Sequence, residues 1–598
     1  MSAHDSQNIT DSLLNQWGRN PANLLQILVE LQQQFHHIPA QSIQLLATEL
    51  KVTPANIEGV ISFYSFLHSA PDADYVILFS DNIIERLQGC VERAQQLADE
   101  LGCALQQKSE DGLVRVDFTA CIGMSDHGPA ALVNGLTLTN ISAERVSQMA
   151  ALIKQRKPLT EWPGEWFEVA ANIQRRNSLL NSEFTHGAAI RAALDQGPQQ
   201  TLNNLSESGL RGCGGAGFKT ATKWTMCAQA EQSDRVVVCN ADEGEPGTFK
   251  DRLLLQHYAD QLFEGMTVCA ATIKATQGFV YLRGEYCYML EAMQQVLQQR
   301  RANNLLGQNI LGHSEFNFDI EIHLGAGAYI CGEESALIES LEGKRGIPRN
   351  RPPFPVTSGY LGRPTVVNNV ETLVLAAHIT AHGAGWFNHQ GTEVSKGSKL
   401  LSISGDCARP GLYEYPFGVS MNEILQECGA ENVQAVQIGG PSGQLIPPAE
   451  FSRKLAFEDL ATGGSFMVFN ETRNLLDVIH NFSAFFRHES CGFCTPCRVG
   501  TSLLEKQLGK IMVGHATTKD LEYIKTIGLL MKESSHCGLG STAANPLLDS
   551  MRRFPLVYKS RLRSTGFEPS FDVDASLEEA RQVTGRTDAG AHLPGGGV

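Results

Sequence analysis

Apolar residues near the start of the chain recur at the spacing of one helix face. The clearest run stops before Pro39 and consists of Leu24, Leu25, Ile27, Leu28, Leu31 and Phe35. This spacing is close to the helical repeat and predicts a helix with one buried face. A second apolar run covers residues 43–50, and Thr53 followed by Pro54 is typical of the first turn of a third helix. Residues 1–70 are therefore predicted to form a helical module.

After this module, short apolar runs flank a helical run. Residues 75–79 and 113–118 are predicted strands, and residues 84–101 are a predicted helix. We therefore expect residues 71–155 to form a small α/β domain. The next stretch, residues 156–185, contains Trp162-Pro163-Gly164 and polar residues, which is the composition of a linker.

The rest of the chain returns to α/β patterning and then becomes helical. A strand-like run over residues 235–240 and another that ends near Tyr281 predict an α/β domain over residues 186–395. Residues 396–470 combine two strand-like runs with a helix-like run, which suggests a small β-grasp domain. Residues 471–565 are predicted to be helical, and the polar, glycine-rich residues 566–598 to be a flexible tail. The predicted fold class is multidomain α/β.

Composition and charge narrow the classes of function. The chain has 598 residues, of which 42% are apolar, and it contains no apolar run of the length, about eighteen residues, that spans a membrane. A net charge of −16 without a basic stripe argues against nucleic acid or anionic membranes as partners. The first residues lack the features of a secretory signal, so a cytoplasmic location is expected. The fifteen cysteines are too sparse for a disulfide framework and indicate metal ligands plus core thiols.

Three closely spaced cysteines and a distant fourth form the strongest chemical motif. Cys491, Cys494 and Cys497 share one short segment, and Cys537 follows in another. Four thiolates in this arrangement are typical of a [4Fe-4S] cluster. Structural zinc sites more often use two separated cysteine pairs, and core thiols would follow a buried-face period. The spacing favours a [4Fe-4S] cluster, with zinc as the alternative and unliganded thiols as a third reading.

Three glycine-containing segments carry the second candidate chemistry. Residues 212–217 include four glycines, which let backbone N–H groups approach a phosphate, although such a loop alone is as often a tight turn. Residues 241–252 gather four carboxylates, which repel one another unless they face water, a cation or N–H donors. Residues 325–335 again combine glycines, an aromatic residue and paired carboxylates. Three such segments predict a shared binding site better than unrelated turns.

These motifs, in this order, resemble a known family. Residues 211–224, 240–252, 326–348 and 367–372 are similar to the NADH-binding flavoprotein subunit of respiratory complex I, whose [4Fe-4S] site the cysteine motif matches. The likeness covers about residues 185–560. Residues 60–65 and 121–125 resemble the thioredoxin-like [2Fe-2S] subunit of complex I. The fusion of the two is most similar to the diaphorase flavoprotein subunits of NAD-reducing [NiFe] hydrogenases.

The resemblance implies cofactor positions residue by residue. It places FMN against Gly212, Gly214, Lys223, Asn240, Asp242, Glu245, Tyr329, Gly332, Glu333, Asn368, Asn369 and Thr372. It places NAD(H) against Phe218, Glu245, Glu334 and Phe354. The acidic residues are expected to disfavour a 2′-phosphate, so NAD is predicted over NADP. Two positions depart from the family: Cys213 replaces an arginine, and Met226 replaces a third aromatic stacker.

The same resemblance bears on the N-terminal domain. Its family holds a [2Fe-2S] cluster with two cysteine pairs, which align with Ser80, Glu85, Cys121 and Ser125. Because one thiolate does not hold such a cluster, we expect no [2Fe-2S] cluster here. The domain is predicted to have kept its fold as a docking surface.

The implied activity converts hydride transfer into single-electron flow. A flavin accepts a hydride and a [4Fe-4S] cluster passes single electrons, so no side chain is predicted to act as catalytic acid or base. The resemblance implies a diaphorase whose partners are an iron–sulfur small subunit and the large and small subunits of a [NiFe] hydrogenase. Hydrogen activation is expected in a partner, because nickel-binding cysteine pairs are missing here. The alternatives are the electron-input subunit of a formate dehydrogenase or of complex I, and a non-enzymatic zinc-stabilised scaffold.

Overall fold

A computed structural model describes residues 3–563 and 573–586. Helices and three sheets alternate along the chain, which confirms the predicted multidomain α/β class. In these described residues, no helix is both long enough and apolar enough to cross a membrane. The predicted domain boundaries stay a prediction, and parts of the predicted tail, residues 566–572 and 587–598, lie outside the described residues.

The N-terminal module consists of helices whose apolar faces turn inward. They are α1 (Ala3–Trp17), α2 (Leu24–Phe35), α3 (Ala40–Leu50) and α4 (Pro54–Phe63). The Thr53 side chain accepts a hydrogen bond from the Asn56 N–H and caps α4. Gln26 exchanges two hydrogen bonds of 2.9 Å with the backbone of Leu324, so the module packs directly on the parallel sheet of the largest domain, described below.

The small α/β domain has a four-stranded sheet with the order β2-β1-β3-β4. Its elements are β1 (Tyr75–Ser80), α5 (Ile83–Leu87), α6 (Cys90–Leu101), β2 (Val114–Thr119), β3 (Ala131–Val133), β4 (Leu136–Leu138) and α7 (Ala143–Lys154). The helix predicted over residues 84–101 is two helices, because Gly89 adopts a left-handed conformation between them.

Residues 156–185 are more ordered than a simple linker requires. Trp162 and Trp166 are buried against the small α/β domain. Strand β5 (Ile173–Arg175) pairs in parallel with strand β11 (Gly411–Pro416) of the six-stranded sheet described below. This segment therefore ties the N-terminal part of the chain to the later domains.

The largest domain surrounds a parallel sheet with the order β8-β7-β6-β9. Its strands are β6 (Arg235–Ala241), β7 (Ala275–Leu282), β8 (Asp319–Leu324) and β9 (Thr365–Asn369). Its helices are α8 (Ala188–Ser208), α9 (Thr220–Ala228), α10 (Lys250–His257), α11 (Ala259–Ile273), α12 (Leu290–Ala302), α13 (Glu334–Leu341), α14 (Val370–His382) and α15 (Ala384–Asn388). Both faces of the sheet are covered, which explains the continuous apolar run in β6.

A mixed six-stranded sheet follows, with the order β13-β12-β14-β10-β11-β5. Its own elements are β10 (Ser398–Gly405), β11 (Gly411–Pro416), α16 (Met421–Cys428), β12 (Val433–Ile438), β13 (Gln444–Ile446) and β14 (Ser465–Asn470). Ser420 and Glu423 form a reciprocal capping box at the start of α16.

The C-terminal region is helical, and the cysteine motif lies where its helices begin and end. The helices are α17 (Leu475–Glu489), α18 (Thr495–Met512), α19 (Thr518–Ser534), α20 (Gly538–Thr542), α21 (Asn545–Arg553), α22 (Pro555–Lys559) and α23 (Val573–Thr584). Helix α23 belongs to the segment predicted to be a flexible tail.

Candidate functional site

The four cysteines of the motif surround one small cavity. Cys491 and Cys494 lie between α17 and α18, Cys497 lies in the first turn of α18, and Cys537 directly precedes α20. All four line the cavity together with Phe493 and His536. Gly540 comes close to this wall, since a Cβ there would lie 2.9 Å from the Cβ of Cys497. Segments that are far apart in sequence are thus brought together, as a four-thiolate site requires.

The surroundings of these thiols disfavour their charged form without a metal. Burial raises the pKa of Cys497 to about 11, opposed by a hydrogen bond with Ser490. Burial also raises the pKa values of Cys491 and Cys537. Ligands must be thiolates, so metal binding here releases protons and compensates the buried charge.

The preference for a cluster over one ion rests on the spacing of these cysteines along the chain. Three of them lie within one short segment and the fourth comes from a distant one, which is typical of a [4Fe-4S] cluster rather than of structural zinc. The four thiols line a shared cavity.

The second site lies where parallel strands end at one edge of the large domain's sheet. Asn240 is in register with Tyr281 of β7 and with Asn369 of β9. The Asn240 side chain donates to the Gly332 carbonyl oxygen over 2.8 Å. The three glycine-containing segments and residues 367–372 therefore meet at this edge, where ligands of open α/β sheets commonly bind.

The glycine loop lies against residues 368–372 at this edge. The Cys213 N–H donates to the Thr372 hydroxyl over 2.9 Å, and the Trp224 indole N–H donates to Asn368 over 2.8 Å. A Cβ at Gly214 would lie 3.3 Å from the Asn369 Cβ, so only a glycine allows this close approach without adjustment. Gly212 closes the loop by donating its N–H to the Phe218 carbonyl oxygen.

Lys223 directs its ammonium group toward the strand ends. It donates to Glu334 over 2.8 Å and to the Val367 carbonyl oxygen over 3.0 Å. Glu333 has a different role, since its carboxylate accepts from the N–H groups of Ser335 and Ala336 and caps α13. Of the two adjacent glutamates, one therefore pairs with a lysine and the other stabilises a helix start.

Glu245 and Asp242 form the acidic wall of the site. Glu245 accepts hydrogen bonds from the Tyr329 hydroxyl and, over 2.9 Å, from the Ser442 N–H. Burial raises the pKa of Glu245 despite these bonds, and it raises the pKa of Asp242 strongly. Asp242 Oδ2 is buried without a hydrogen-bond partner among the described residues. An unpaired buried acceptor is costly, so this atom fits a ligand that donates a hydrogen bond.

Exposed apolar side chains flank this edge. Phe218 is 50% exposed and Phe354 is 48% exposed, which is unusual for phenylalanine. Met226 is similarly exposed at 42%. The segment of Phe354 lies near the site, because the guanidinium group of the nearby Arg351 is 3.4 Å from the Glu333 carboxylate. These uncovered surfaces suit the stacking of a flat base.

Sequence reasoning missed the buried charges that support Asn369. The Asn369 side chain donates to Asp251 over 2.6 Å and accepts from Lys250 over 3.2 Å. Glu371 lies 3.0 Å from Lys250 and 2.5 Å from Lys399. Lys250 and Asp251 stand inside the acidic motif and were visible in it. Lys399 comes from β10, and no sequence signal links it to this site.

The aligned ligand positions of the N-terminal domain also meet in space. The Asn82 amide donates to Glu85 over 2.8 Å and lies 3.2 Å from the Cys121 sulfur. It lies 3.3 Å from both Ser80 and Ser125. Burial raises the pKa of Glu85 to about 7, although hydrogen bonds from Ser80 and Asn82 oppose the rise.

Comparison with known families agrees with the two sites. Residues 205–378 match the Nuo51 FMN-binding domain, and residues 477–561 match the NADH-ubiquinone oxidoreductase-F iron–sulfur binding region. Residues 10–154 match the thioredoxin-like [2Fe-2S] ferredoxin family. The fold and sites thus define a flavin- and iron–sulfur-binding oxidoreductase subunit.

Individual relatives narrow this class. The chain is 40% identical over 581 residues to the NAD-reducing hydrogenase HoxS subunit alpha of Cupriavidus necator, covering 95% of this chain and 96% of that protein. It is 42% identical to a subunit of the NADH-quinone oxidoreductase of Rhizobium meliloti, over 64% of this chain and 94% of that protein. A crystal structure of an NAD+-reducing [NiFe]-hydrogenase in the H2-reduced state matches with a TM-score of 0.90 and 42% identity, covering 96% of this chain and 98% of that one. The chain belongs to the family of NAD-reducing hydrogenase alpha subunits.

One prediction needs correction. We expected no [2Fe-2S] cluster in the N-terminal domain, whereas residues 10–154 match a family of [2Fe-2S] ferredoxins. The prediction was wrong because it counted thiols at four aligned positions. The match covers residues 10–154, which include the helical module and the small α/β domain. In this domain Ser80, Glu85, Cys121 and Ser125 surround Asn82.

Proposed function

We propose that this chain is the diaphorase subunit of an NAD-reducing hydrogenase, and that it exchanges electrons between NAD(H) and partner subunits. One observation carries the proposal: the two candidate sites share a wall. Tyr329 hydrogen-bonds Glu245 at the strand ends, and the next residue, Ile330, lines the four-cysteine cavity. The Tyr329 N–H also donates over 3.0 Å to Glu489, two residues before Cys491. Neighbouring redox groups can exchange electrons without a mobile carrier.

FMN is proposed to lie at the strand ends of the large domain. The residues assigned to it are Gly212, Gly214, Lys223, Asn240, Asp242, Glu245, Tyr329, Gly332, Glu333, Asn368, Asn369 and Thr372. The glycine loop offers backbone N–H groups and Lys223 adds positive charge, which together suit a phosphate. The unpaired Asp242 oxygen supports a donor from the ligand at this place.

NAD(H) is proposed to bind over the same edge. Phe218 and Phe354 offer stacking surfaces for the adenine, while Glu245 and Glu334 border the polar part of the nucleotide. The carboxylates disfavour the extra charge of a 2′-phosphate. The contribution of Glu334 is reduced by Lys223, which lies 2.8 Å away. Glu245 therefore contributes more to the preference for NAD.

The [4Fe-4S] cluster is proposed to be bound by Cys491, Cys494, Cys497 and Cys537. When bound, FMN accepts a hydride and releases its two electrons singly, and the cluster carries one electron at a time. The protein's own part is to hold the nucleotide against the flavin and to exclude water. No side chain is assigned as acid or base.

The proposed partners are an iron–sulfur small subunit and the large and small subunits of a [NiFe] hydrogenase. The coverage supports this assignment over complex I: the hydrogenase protein matches 95% of the chain and the quinone oxidoreductase protein only 64%. A cytoplasmic location is proposed because none of the fifteen cysteines, all of which lie in the described residues, forms a disulfide bond.

Electron paramagnetic resonance tests the proposed electron path. Anaerobic NADH is expected to reduce the cluster of the purified wild-type chain. The Cys494→Ser variant should still show NADH-dependent flavin bleaching while losing the native cluster signal. A wild-type cluster that dithionite reduces but NADH does not would contradict the proposal.

A further inference from the structure

A buried arginine joins the N-terminal domain to loop 242–245 of the acidic wall. Arg283 donates to the Cys121 carbonyl oxygen over 2.6 Å and also to the Glu243 carbonyl oxygen. It is only 4% exposed, and Glu285 neutralises it at 2.6 Å. One planar guanidinium thus fixes backbone atoms of two domains at once.

A second buried arginine connects the same two segments from the start of α10. Arg252 donates to both Asp126 carboxylate oxygens, over 3.1 and 2.9 Å, and to the Gly123 carbonyl oxygen over 2.7 Å. The backbone N–H of Arg252 donates over 3.0 Å to the Glu243 carboxylate. Asp126 compensates the buried positive charge of Arg252, which would be strongly unfavourable without a paired carboxylate.

The two loops are packed without spare room. Gly123 has a φ of +77°, and a Cβ there would lie 2.2 Å from the hydroxyl of Tyr286. That hydroxyl donates over 3.0 Å to Glu243. Segment 121–126 therefore cannot shift without moving the groups that hold Glu243.

We propose that Arg283 and Arg252 are positioning residues of the flavin site, through which segment 121–126 fixes Asp242 and Glu245. This inference rests on the function proposed above. Charges beside a flavin set its reduction potential, so a displaced acidic loop changes the potential and nucleotide use as well as stability. The N-terminal domain is on this account a structural part of the flavin site.

The test compares Arg283→Lys with Arg300→Lys in the full chain. Arg300 is a matched control: it lies in the same domain, is 1% exposed, and pairs with Asp260 and Glu264 of α11 at 2.7 Å each. Lysine keeps the charge but loses the two-pronged donation in both variants. Both are expected to lower the melting temperature.

Only Arg283→Lys should change the flavin midpoint potential and lower kcat/KM for NADH, by about tenfold to a hundredfold, as small misplacements do. Equal potentials and kcat/KM in the two variants would overturn the inference. If Arg283→Lys does not fold, Asp126→Asn serves as the test, because it keeps the side-chain shape but removes the charge that pairs with Arg252. An unchanged flavin midpoint potential and an unchanged kcat/KM in Asp126→Asn would then refute the inference. A wild-type chain that NADH does not reduce would refute the proposed function instead.

Discussion

Lys399→Met is expected to weaken the junction between the flavin domain and the β-grasp domain. Lys399, Lys250, Glu371 and Asp251 form a buried set of two cations and two carboxylates. The variant leaves one of these carboxylates uncompensated, and breaking a buried pair costs about 3–5 kcal/mol. For a domain of this size, at about 2–4 °C per kcal/mol, the melting temperature should fall by roughly 6–20 °C. Flavin content should fall too, because Lys250 also holds Asn369 at 3.2 Å.

Calorimetry on a double-mutant cycle measures this coupling. Glu371→Gln keeps an acceptor for the Leu400 N–H, which lies 3.0 Å from the native carboxylate. The double variant Lys399→Met with Glu371→Gln restores neutrality, and should be more stable than additivity predicts by about 1–3 kcal/mol. The reasoning would be refuted if Lys399→Met had the melting temperature of the wild type, or if the two substitutions lowered the free energy of unfolding strictly additively.

Three further predictions concern the nucleotide, the flavin and acid stability. Lys223→Met should weaken FMN binding about tenfold to a hundredfold, because a charge-assisted hydrogen bond is lost. Lys219 is exposed, so Lys219→Met should leave the FMN dissociation constant unchanged. Phe354→Ala should raise the KM for NADH about tenfold through lost stacking without changing the flavin content; an unchanged KM would remove Phe354 from the site. Burial lowers the pKa of His378 to about 3, so the imidazole stays neutral in the folded protein while it takes up a proton in the unfolded chain below about pH 6.5. The free energy of unfolding should therefore fall by about 3 kcal/mol between pH 7 and pH 4.5, and His378→Phe should largely remove this fall in unfolding titrations. An equal pH dependence in both proteins would count against it.

Much of the site was accessible from the sequence because its motifs are short and contiguous. Three of the four cysteines lie within one turn-and-helix segment, and the glycine and carboxylate motifs each follow or precede a strand. Parallel strands end at a common edge, so the meeting of these segments could be expected from their order.

The supporting contacts could not be predicted, because their partners are far apart in the chain. Ser442 reaches Glu245 from the β-grasp domain, and Arg283 reaches Cys121 from another domain. Such contacts have no local pattern. The N-terminal domain failed for a different reason. Its fold was predicted correctly, but the count of thiols at four aligned positions led to the wrong conclusion that no [2Fe-2S] cluster is expected.

An anaerobic NADH titration of the purified chain tests the central claim most directly. Flavin bleaching is followed, while iron, sulfide and zinc are assayed on the same sample. The account predicts bleaching with NADH and not NADPH, with about four iron and four sulfide per chain for the four-cysteine site in addition to any bound by the N-terminal domain. A well-folded sample that contains zinc in place of iron, and no flavin, would contradict it.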